Sequence, residues 1–505
     1  MRTTKTLLVA SIAAGTALAL AACSSGGPSG AGSAGGSAVD RSATVDVGLY
    51  LEPTDLDVRT TSGVALDQVL IDNVYQGLVG LDPSGRIHDV LAKRHTVSSD
   101  GLTYDFALKP GMRFSNGDAL DAADVVWSLN QVRSTKTDVG NGDLAAVKSI
   151  TAPSDDSVRL TLTKPDSELL YALAGRAGLV LDEQATNDLK TTAIGSGPFL
   201  LKSWKQGDSI TLTRNSAYWG PKAKVASVVF RYFSDRSAAV NGALAGDLQV
   251  LTTVDPTLKA KFQSNQDFAL KKGISTDKYT LVFNSKKAPL NSLAVRRALR
   301  QAIDPKAIIA AIGGDGVPQG GPIPKGDPGY QDLTSVDAYD PSAAKAAIAK
   351  AGAAGKTLTL TIPNIYGTTV SDVLTSQLKA VGITLAVKSV DFTTWLTQVY
   401  TNKDYELSFV DHAEAHDFAN WVTPGYYFNY SNPEVDALYA QATTALSSSD
   451  ADAKLAEAAK LVAQDAPAAW LYTAVNETAI RTTVKGFPTD FTSNRLNLTN
   501  LAVTK

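Results

Sequence analysis

The sequence predicts an α/β protein with more than one compact region, and three observations lead to that prediction. Strand-like and helix-like patterns alternate along almost the whole chain. A strand, a helix and a second strand follow one another over residues 358–390, and such a β-α-β unit implies two parallel strands in one sheet. With 505 residues, the chain is long for a single domain. We therefore expect two lobes, with room for a further subdomain.

The N-terminal half is predicted to be rich in strands. Residues 44–51 alternate between polar and apolar side chains, as a half-buried strand does. Apolar residues then recur at helical spacing from Leu66 to Leu78, which predicts one helix over that stretch. A turn is expected at residues 154–157. The other elements predicted here are a helix near 122–131 and strands at 102–108, 158–163, 209–213 and 226–233.

Proline marks helix starts in the C-terminal half. Asp304 and Asp340 each stand directly before a proline, an arrangement that predicts a capped helix beginning there. The β-α-β unit comprises a strand at 358–362, an amphipathic helix at 371–381 that Gly382 ends, and a strand at 383–390. Alanine-rich helices are predicted at 433–446 and 450–464, and an apolar strand at 407–410.

The first residues have the organisation of a secretory signal peptide. Arg2 and Lys5 precede an apolar stretch that ends in Leu-Ala-Ala-Cys at Cys23. That ending matches the bacterial lipobox, which implies that residues 1–22 are removed and that Cys23 is acylated. The alternative is an ordinary cleaved signal with an incidental cysteine, but Cys23 is the only cysteine in the chain. We therefore expect a protein anchored by lipid to the outer face of the cell membrane.

Composition limits what the rest of the chain can be. Residues 23–43 are rich in Ser, Gly and Ala and predict a flexible tether, with an average span of roughly 25 Å. A hydrophobic content of 44% and a charged content of 19% fit globular domains. The formal net charge of −3 argues against nucleic acid as a partner. No later stretch is long and apolar enough to predict a membrane span.

Two short motifs suggest catalysis, and neither has the context that catalysis requires. Gly355-Lys356-Thr357 resembles the end of a phosphate-binding loop, but Lys350 stands where the first glycine is needed and a strand follows instead of a helix. The SxxK string from Ser376 to Lys379 lacks its companion KTG motif. The sequence therefore gives no support for an enzyme, and no cofactor is expected.

Polar and aromatic residues concentrate after the predicted strand 407–410. Two histidines four residues apart, His412 and His416, would share one face of a helix and could ligate a metal, although third and fourth ligands are not evident. The alternative is a polar loop that hydrogen-bonds an organic ligand or solvent. Aromatic residues beside carboxylates suit a pocket that stacks on a ligand and neutralises an amine, or else a small hydrophobic core. These aromatic residues are Phe418, Trp421, Tyr426, Tyr427, Phe428 and Tyr430.

Four groups of segments, taken in order, resemble family 5 of the bacterial extracellular solute-binding proteins, the peptide, opine and nickel binders. Together they span nearly the whole chain after the tether. The first group is Val74–Val79 with Leu81-Asp82-Pro83, Ser99–Tyr104, Leu108–Phe114, Asn116-Gly117 and Ala123–Leu129. The second is Gly195–Phe199 with Arg214-Asn215 and Tyr218-Trp219-Gly220, the third is Phe283-Asn284 with Val295–Leu299 and Ala302–Asp304, and the fourth is Asn432–Asp436.

The resemblance implies a fold and a set of partners. The fold is a two-lobed clamshell of the type II periplasmic-binding-protein class, in the large cluster with an extra subdomain. Lobe I would comprise residues 44–282 and 476–505, with the subdomain at about 86–194, and lobe II would comprise residues 283–475. The protein would be a monomer that binds a small molecule or peptide between the lobes and delivers it to the permease subunits of an ABC importer with a cytoplasmic ATPase.

The resemblance also implies ligand-binding positions. These are Glu52, after the first strand, and Asp411, which would pair with the α-amine of a peptide. Asp417 resembles the aspartate of the family's Asp-Pro pair, but Phe418 replaces the proline, and His412 and His416 also depart from the usual peptide-binder pattern. With the neighbouring Trp421, Tyr426 and Tyr427, these residues form the predicted ligand site.

Three hypotheses about function follow. The first is an oligopeptide or similar amine-bearing solute. The others are a nickel-type metal chelate held by His412 and His416, and a lipoprotein receptor or scaffold that no longer transports.

Overall fold

A mixed sheet of eleven strands is the central feature of the computed structural model, which describes residues 38–61, 63–490 and 494–505. Cys23, the signal peptide and most of the tether lie outside the described residues. The first ten strands are β1 Thr44–Leu49, β2 Val79–Leu81, β3 Ile87–Asp89, β4 Ala92–Val97, β5 Thr103–Leu108, β6 Val147–Ser154, β7 Ser157–Leu162, β8 Phe199–Lys205, β9 Ser209–Arg214 and β10 Ser227–Tyr232. The remaining strands are β11 Val250–Leu251, β12 Phe268–Phe283, β13 Gly316–Pro318, β14 Thr357–Pro363, β15 Thr384–Val390, β16 Leu407–His412, β17 Ala468–Arg481, β18 Val484–Lys485 and β19 Ala502–Val503.

Twelve α-helices connect these strands within the described residues. The first six are α1 Val64–Leu70, α2 Ala122–Ser134, α3 Leu169–Ala174, α4 Arg236–Ala245, α5 Ala260–Gln263 and α6 Leu293–Ala302. The other six are α7 Pro305–Ala311, α8 Pro341–Lys350, α9 Thr369–Ala380, α10 Phe392–Trp395, α11 Pro433–Thr443 and α12 Ser448–Asp465. A π-helical turn over Leu396–Thr401 directly follows α10. Among the described residues, no helix combines the length and apolar character that crossing a membrane requires.

The strand order shows how the large sheet is built. It runs β15-β14-β16-β12-β17-β11-β1-β10-β9-β8, and β13 pairs with β17 outside this path. Strands β14 and β15 are parallel and are joined by α9, so the predicted β-α-β unit is confirmed. Helices α7 and α8 begin at Pro305 and Pro341, and the preceding aspartates accept hydrogen bonds from backbone N–H groups of the first turn. The predicted proline-marked starts are confirmed.

The helix predicted from Leu66 to Leu78 is shorter in the structure. It ends at Leu70, because Ile71 is extended with a ψ of 140°, and Asp72 then adopts a left-handed conformation with a φ of 67°. The side-chain amide of Asn73 donates to the carbonyl of Val69 at 3.0 Å and to that of Leu496 at 2.7 Å. These bonds use the backbone acceptors at the helix end and tie the segment to the C-terminal residues. The apolar side chains beyond Leu70 remain buried without helical structure.

Two long antiparallel strands, β12 and β17, link separate hydrophobic cores. At one end of β12, Phe268 packs with Val240 and Val254, and at the other end Leu281 and Phe283 pack with helices α6 and α9. The pairing register between β12 and β17 shifts between Ile274 and Lys278. A further sheet, β4-β5-β7-β6, packs with α2 around its own core. The predicted lobe and subdomain boundaries stay predictions.

Candidate functional site

The candidate site is a cleft of about 1040 Å³. One wall comes from residues 142–176, which include α3, and the other from residues 365–443, which include the end of β16 and the loop after it. Of the eight residues predicted to bind ligand, six line this cleft: Asp411, His412, His416, Asp417, Tyr426 and Tyr427.

Asp411 is the most unusual acidic residue of the cleft. It lies near the end of β16, and its backbone N–H donates to the hydroxyl of Tyr366 at 3.1 Å. Its Oδ1 has almost no exposed surface and no hydrogen-bond partner among the described residues. Burial, followed by repulsion from Asp277, raises the pKa of Asp411 well above its ordinary value, although the charge of Lys278 opposes this.

A buried lysine holds the loop after β16 against β12. The side chain of Lys278 is only 3% exposed, and its Nζ lies 3.3 Å from Oδ1 of Asp417. The same Nζ donates to the backbone carbonyls of Glu414 at 2.7 Å and Thr276 at 3.2 Å. Burial raises the pKa of Asp417 to about 6, because it outweighs the attraction of Lys278. The ion pair therefore fixes the loop that carries most of the predicted site.

His412 is neutral in this environment. Burial lowers its pKa to about 3, and the positive charge of Lys278 acts in the same direction. Its Nε2 lies 2.8 Å from the hydroxyl of Tyr427, whose backbone carbonyl accepts a hydrogen bond from the hydroxyl of Tyr405. His412 thus orients an aromatic residue of the cleft.

His416 spans the cleft. Its ring stacks on Tyr171 with centroids 3.6 Å apart and planes 5° apart, and its Nδ1 lies 2.7 Å from Oε2 of Glu168. Its backbone N–H donates to a side-chain oxygen of Asp327 at 2.9 Å. The backbone of His416 is left-handed, with a φ of 55°. Burial lowers the pKa of His416, but the hydrogen bond and charge of Glu168 outweigh burial and raise it. The residue therefore joins the loop after β16 to the opposite wall.

The two histidines do not share a helix face, because His412 ends β16 and His416 lies in the following turn. In the part of the chain that the structure describes, no group of three or more His, Cys, Asp and Glu side chains is arranged to hold a metal ion. The expectation of a shared helical face was wrong because the strand extends through His412.

Trp421 and Glu52 are the predicted residues that the structure places away from the cleft lining. Trp421 is 4% exposed and stacks on Phe428 at 4.1 Å, in the hydrophobic core behind the cleft. Glu52 accepts hydrogen bonds from Trp204 Nε1 at 2.8 Å and from the backbone N–H of Gly207 at 3.0 Å. It is not among the residues that line this cleft.

Sequence reasoning missed four residues that shape the site. The sequence did contain an indication for Lys278, because a charged residue directly before the apolar run of β12 needs a partner once it is buried. It contained no comparable indication for Tyr366, Tyr171 or Glu168. Glu168 and His416 are 248 positions apart, so only the tertiary fold reveals their contact.

Comparisons with known proteins identify the family to which the chain belongs. The model of the bacterial extracellular solute-binding proteins, family 5 (its middle region), matches residues 86–434. The chain therefore belongs to this family, the solute-binding proteins of ABC importers. The predicted family membership is confirmed.

Relatives and solved structures agree with this assignment. The chain is 28% identical over 437 residues to the glutathione-binding protein GsiB of Pectobacterium atrosepticum, covering 81% of this chain and 84% of that one. It is 30% identical over 342 residues to protein XP55 of Streptomyces lividans, covering 65% of this chain and 61% of that one.

Among solved structures, the substrate-binding protein CtaP of Listeria monocytogenes has a TM-score of 0.83 at 21% identity, covering 92% of this chain and 100% of CtaP. DppA of Helicobacter pylori, in complex with the peptide STSA, has a TM-score of 0.78 at 21% identity, covering 92% of this chain and 98% of DppA. These likenesses confirm the predicted fold class, a two-lobed clamshell of the type II periplasmic-binding-protein class.

Proposed function

We propose that this protein captures an oligopeptide or a similar amine-bearing solute in the cleft and delivers it to the permease of an ABC importer. The observation that carries the proposal is Asp411, whose Oδ1 is buried at the cleft and has no hydrogen-bond partner among the described residues. Buried polar groups in native proteins nearly always have hydrogen-bond partners. A hydrogen-bond donor of the ligand would supply one for this oxygen.

An ammonium group suits that position chemically. Burial and the neighbouring Asp277 oppose ionisation of Asp411. A bound ammonium would favour the ionised carboxylate and form a charge-assisted hydrogen bond, which is stronger than a bond between neutral groups. The glutathione-binding and peptide-bound relatives support a ligand of this class, because peptides and glutathione each carry a free amine.

Ligand capture would couple to movement of the two walls. A ligand that contacts both walls favours the arrangement in which they are close together. The contact of His416 with Glu168 and Tyr171 joins the same two walls and would stabilise that arrangement. A permease that recognises this arrangement would then distinguish loaded from empty protein.

The anchor completes the proposal. Acylation of Cys23 would hold the protein on the outer face of the cell membrane, and the tether of roughly 25 Å would keep the cleft close to the permease. Mass spectrometry of the N-terminal peptide from native protein would show a diacylated Cys23. An unmodified or absent Cys23 in mature protein would contradict the anchor.

Calorimetry with a library of free-amine peptides tests the binding role. We expect Asp411→Asn to weaken binding about 30- to 150-fold, the loss of about 2–3 kcal/mol for a buried charge-assisted hydrogen bond. The matched control is Asp372→Asn, an exposed aspartate of α9 outside the cleft, which should leave binding unchanged. Equal affinities of wild type and Asp411→Asn would contradict the role of Asp411.

A further inference from the structure

Carboxyl groups outnumber basic groups in and behind the cleft lining. Six carboxyl groups and two basic groups influence one another's ionisation around the loop after β16, and the neutral His412 adds no charge. On the wall formed by residues 142–176, Asp143 and Asp166 add two further carboxylates, and Lys164 adds one cation. The acidic floor consists of Asp411, Glu414 and Asp417, which line the cleft. Asp277 and Asp327 act on these groups from behind the lining, Glu168 lies on the opposite wall, and Lys278 and His416 are the two basic groups.

The remaining cation of the lining is already committed. Arg176 is buried, pairs with Asp67, and donates to the backbone carbonyls of Val58, Thr61 and Gly63. It is therefore not available to receive a ligand carboxylate. Because carboxyl groups outnumber basic groups there, a ligand that brings positive charge interacts favourably with them, whereas a ligand that brings negative charge is repelled.

A second feature of the same cleft is an apolar shelf, formed by Ile365, Phe392, Leu396 and Tyr400. All four line the cleft, and all four are exposed, at 67%, 42%, 38% and 43% respectively. Two of them, Leu396 and Tyr400, belong to the π-helical turn Leu396–Thr401, a conformation that is frequent at functional sites. Large apolar side chains exposed together in a cleft indicate a surface that a ligand covers.

The apolar shelf adjoins the acidic floor through shared aromatic contacts. The rings of Tyr400 and Tyr427 are 5.5 Å apart, and the hydroxyl of Tyr427 lies 2.8 Å from His412. Tyr366, which follows Ile365, accepts the backbone N–H of Asp411 at 3.1 Å. A single ligand molecule can therefore contact both features.

From this arrangement we infer that the cleft selects ligands that combine net positive charge with a large apolar group, the charge lying on the acidic floor at Asp411 and the apolar group on the shelf. The inference rests on the amine site proposed above and narrows its substrate class. It also separates this protein from its glutathione-binding relatives, because glutathione carries more carboxylates than ammonium groups.

Three tripeptides and glutathione test the inference by calorimetry on the intact protein. Lysyl-phenylalanyl-alanine has both features, glutamyl-phenylalanyl-alanine reverses the charge, and lysyl-alanyl-alanine lacks the apolar group. We expect the first peptide to bind at least about tenfold more tightly than lysyl-alanyl-alanine, since covering about 60 Å² of apolar surface corresponds to a factor of that size. It should also bind more tightly than glutamyl-phenylalanyl-alanine by about the same factor, because the cleft carboxylates repel a second acidic group. Glutathione should bind more weakly than the first peptide by at least the same factor.

Two variants assign the selectivity to residues. Phe392→Ala should reduce the ratio of the affinities for lysyl-phenylalanyl-alanine and lysyl-alanyl-alanine. Its control is Tyr339→Ala, which truncates an aromatic residue that is 49% exposed outside the cleft. Glu414→Gln should reduce the preference for lysine over glutamate, with the exposed Glu434→Gln as its control.

The outcomes separate this inference from the proposed function. Peptides that bind with equal affinity whatever their charge and apolar content would overturn the inference and leave peptide binding intact. Glutathione binding as tight as that of the lysine–phenylalanine peptide would also overturn it, as would an equal loss in Phe392→Ala and Tyr339→Ala. Failure of every amine-bearing peptide to bind would remove the proposed function, and the inference with it.

Discussion

The contact between His416 and Glu168 should make ligand affinity depend on pH. Their side chains meet at 2.7 Å across the cleft and are 17% and 32% exposed. The hydrogen bond and charge of Glu168 outweigh burial and raise the pKa of His416 above 6.5. The pair therefore stabilises the joined walls fully at pH values below the ordinary histidine pKa. This stabilisation is lost as pH rises through the raised pKa.

The magnitude follows from the geometry. A hydrogen bond between charged groups contributes about 1.5–3 kcal/mol when it is desolvated. Because Glu168 is about one-third exposed, solvent screening reduces this to about 1 kcal/mol. If the walls separate without ligand, loss of the His416–Glu168 pair makes the apparent free energy of ligand binding less favourable by the same amount. The ligand affinity then falls about fivefold.

The assay compares wild type with Glu168→Gln at about pH 6 and about pH 8, using one free-amine peptide and isothermal calorimetry. Titration of the peptide's own amine affects both measurements equally, so the ratio of the two affinities reports the contribution of the His416–Glu168 pair. Asp327 and Asp417 also face His416, and both remain in each protein. We expect Glu168→Gln to bind about fivefold more weakly near pH 6, with a difference that declines as pH rises through the raised pKa of His416.

A ratio that stays the same at both pH values would refute the reasoning, because a charge-independent contact has no such dependence. A ratio that increases towards pH 8 would also refute it. Tyr171→Phe keeps the stacked ring beside His416 and should retain the pH dependence of wild type.

Two further predictions concern stability and location. Lys278→Met should lower the free energy of unfolding by about 3 kcal/mol at pH 7.5, because it leaves Asp417 buried without its cation. Denaturant unfolding should show a smaller loss at about pH 5, where Asp417, with a pKa of about 6, is protonated. The loss should also be smaller in the double variant Lys278→Met/Asp417→Asn. Equal losses at both pH values would contradict this account. Cys23→Ala should release the protein from the membrane fraction into the medium, as immunoblotting of both fractions would show, and retention of the variant on membranes would count against the lipid anchor.

Local chemistry made much of the fold predictable. The prolines after Asp304 and Asp340 fix helix starts with residues that are adjacent in sequence, and the β-α-β unit has clear periodicity. The end of α1 was not predictable in this way. It depends on Asn73 binding the carbonyl of Leu496, more than four hundred positions away, and helical spacing of buried residues gives no warning of such a bond.

The candidate site was predictable in its location and less so in its detail. Tyr426 and Tyr427 from the aromatic group after β16 line the cleft, together with the polar residues of the preceding loop. The other aromatic residues of that group, Phe418, Trp421, Phe428 and Tyr430, pack in or against a hydrophobic core. Within that segment the backbone changes from a strand to a 3₁₀-helix at Asp417–Trp421 and then to turns, so no single period could show that Tyr426 lines the cleft while Trp421 packs in the core. The opposite wall, with Glu168 and Tyr171, is brought to the site by tertiary contacts alone.

The most direct test of the central claim is a calorimetric cycle with one peptide and its N-acetylated form, measured on wild type and Asp411→Asn. Acetylation removes the ammonium, and the variant removes the carboxylate charge, so each change should abolish the same interaction. We predict that acetylation weakens binding to wild type about 30- to 150-fold and changes binding to Asp411→Asn by less than about threefold. An equal loss on acetylation in both proteins would contradict the claim that Asp411 receives the ligand's amine.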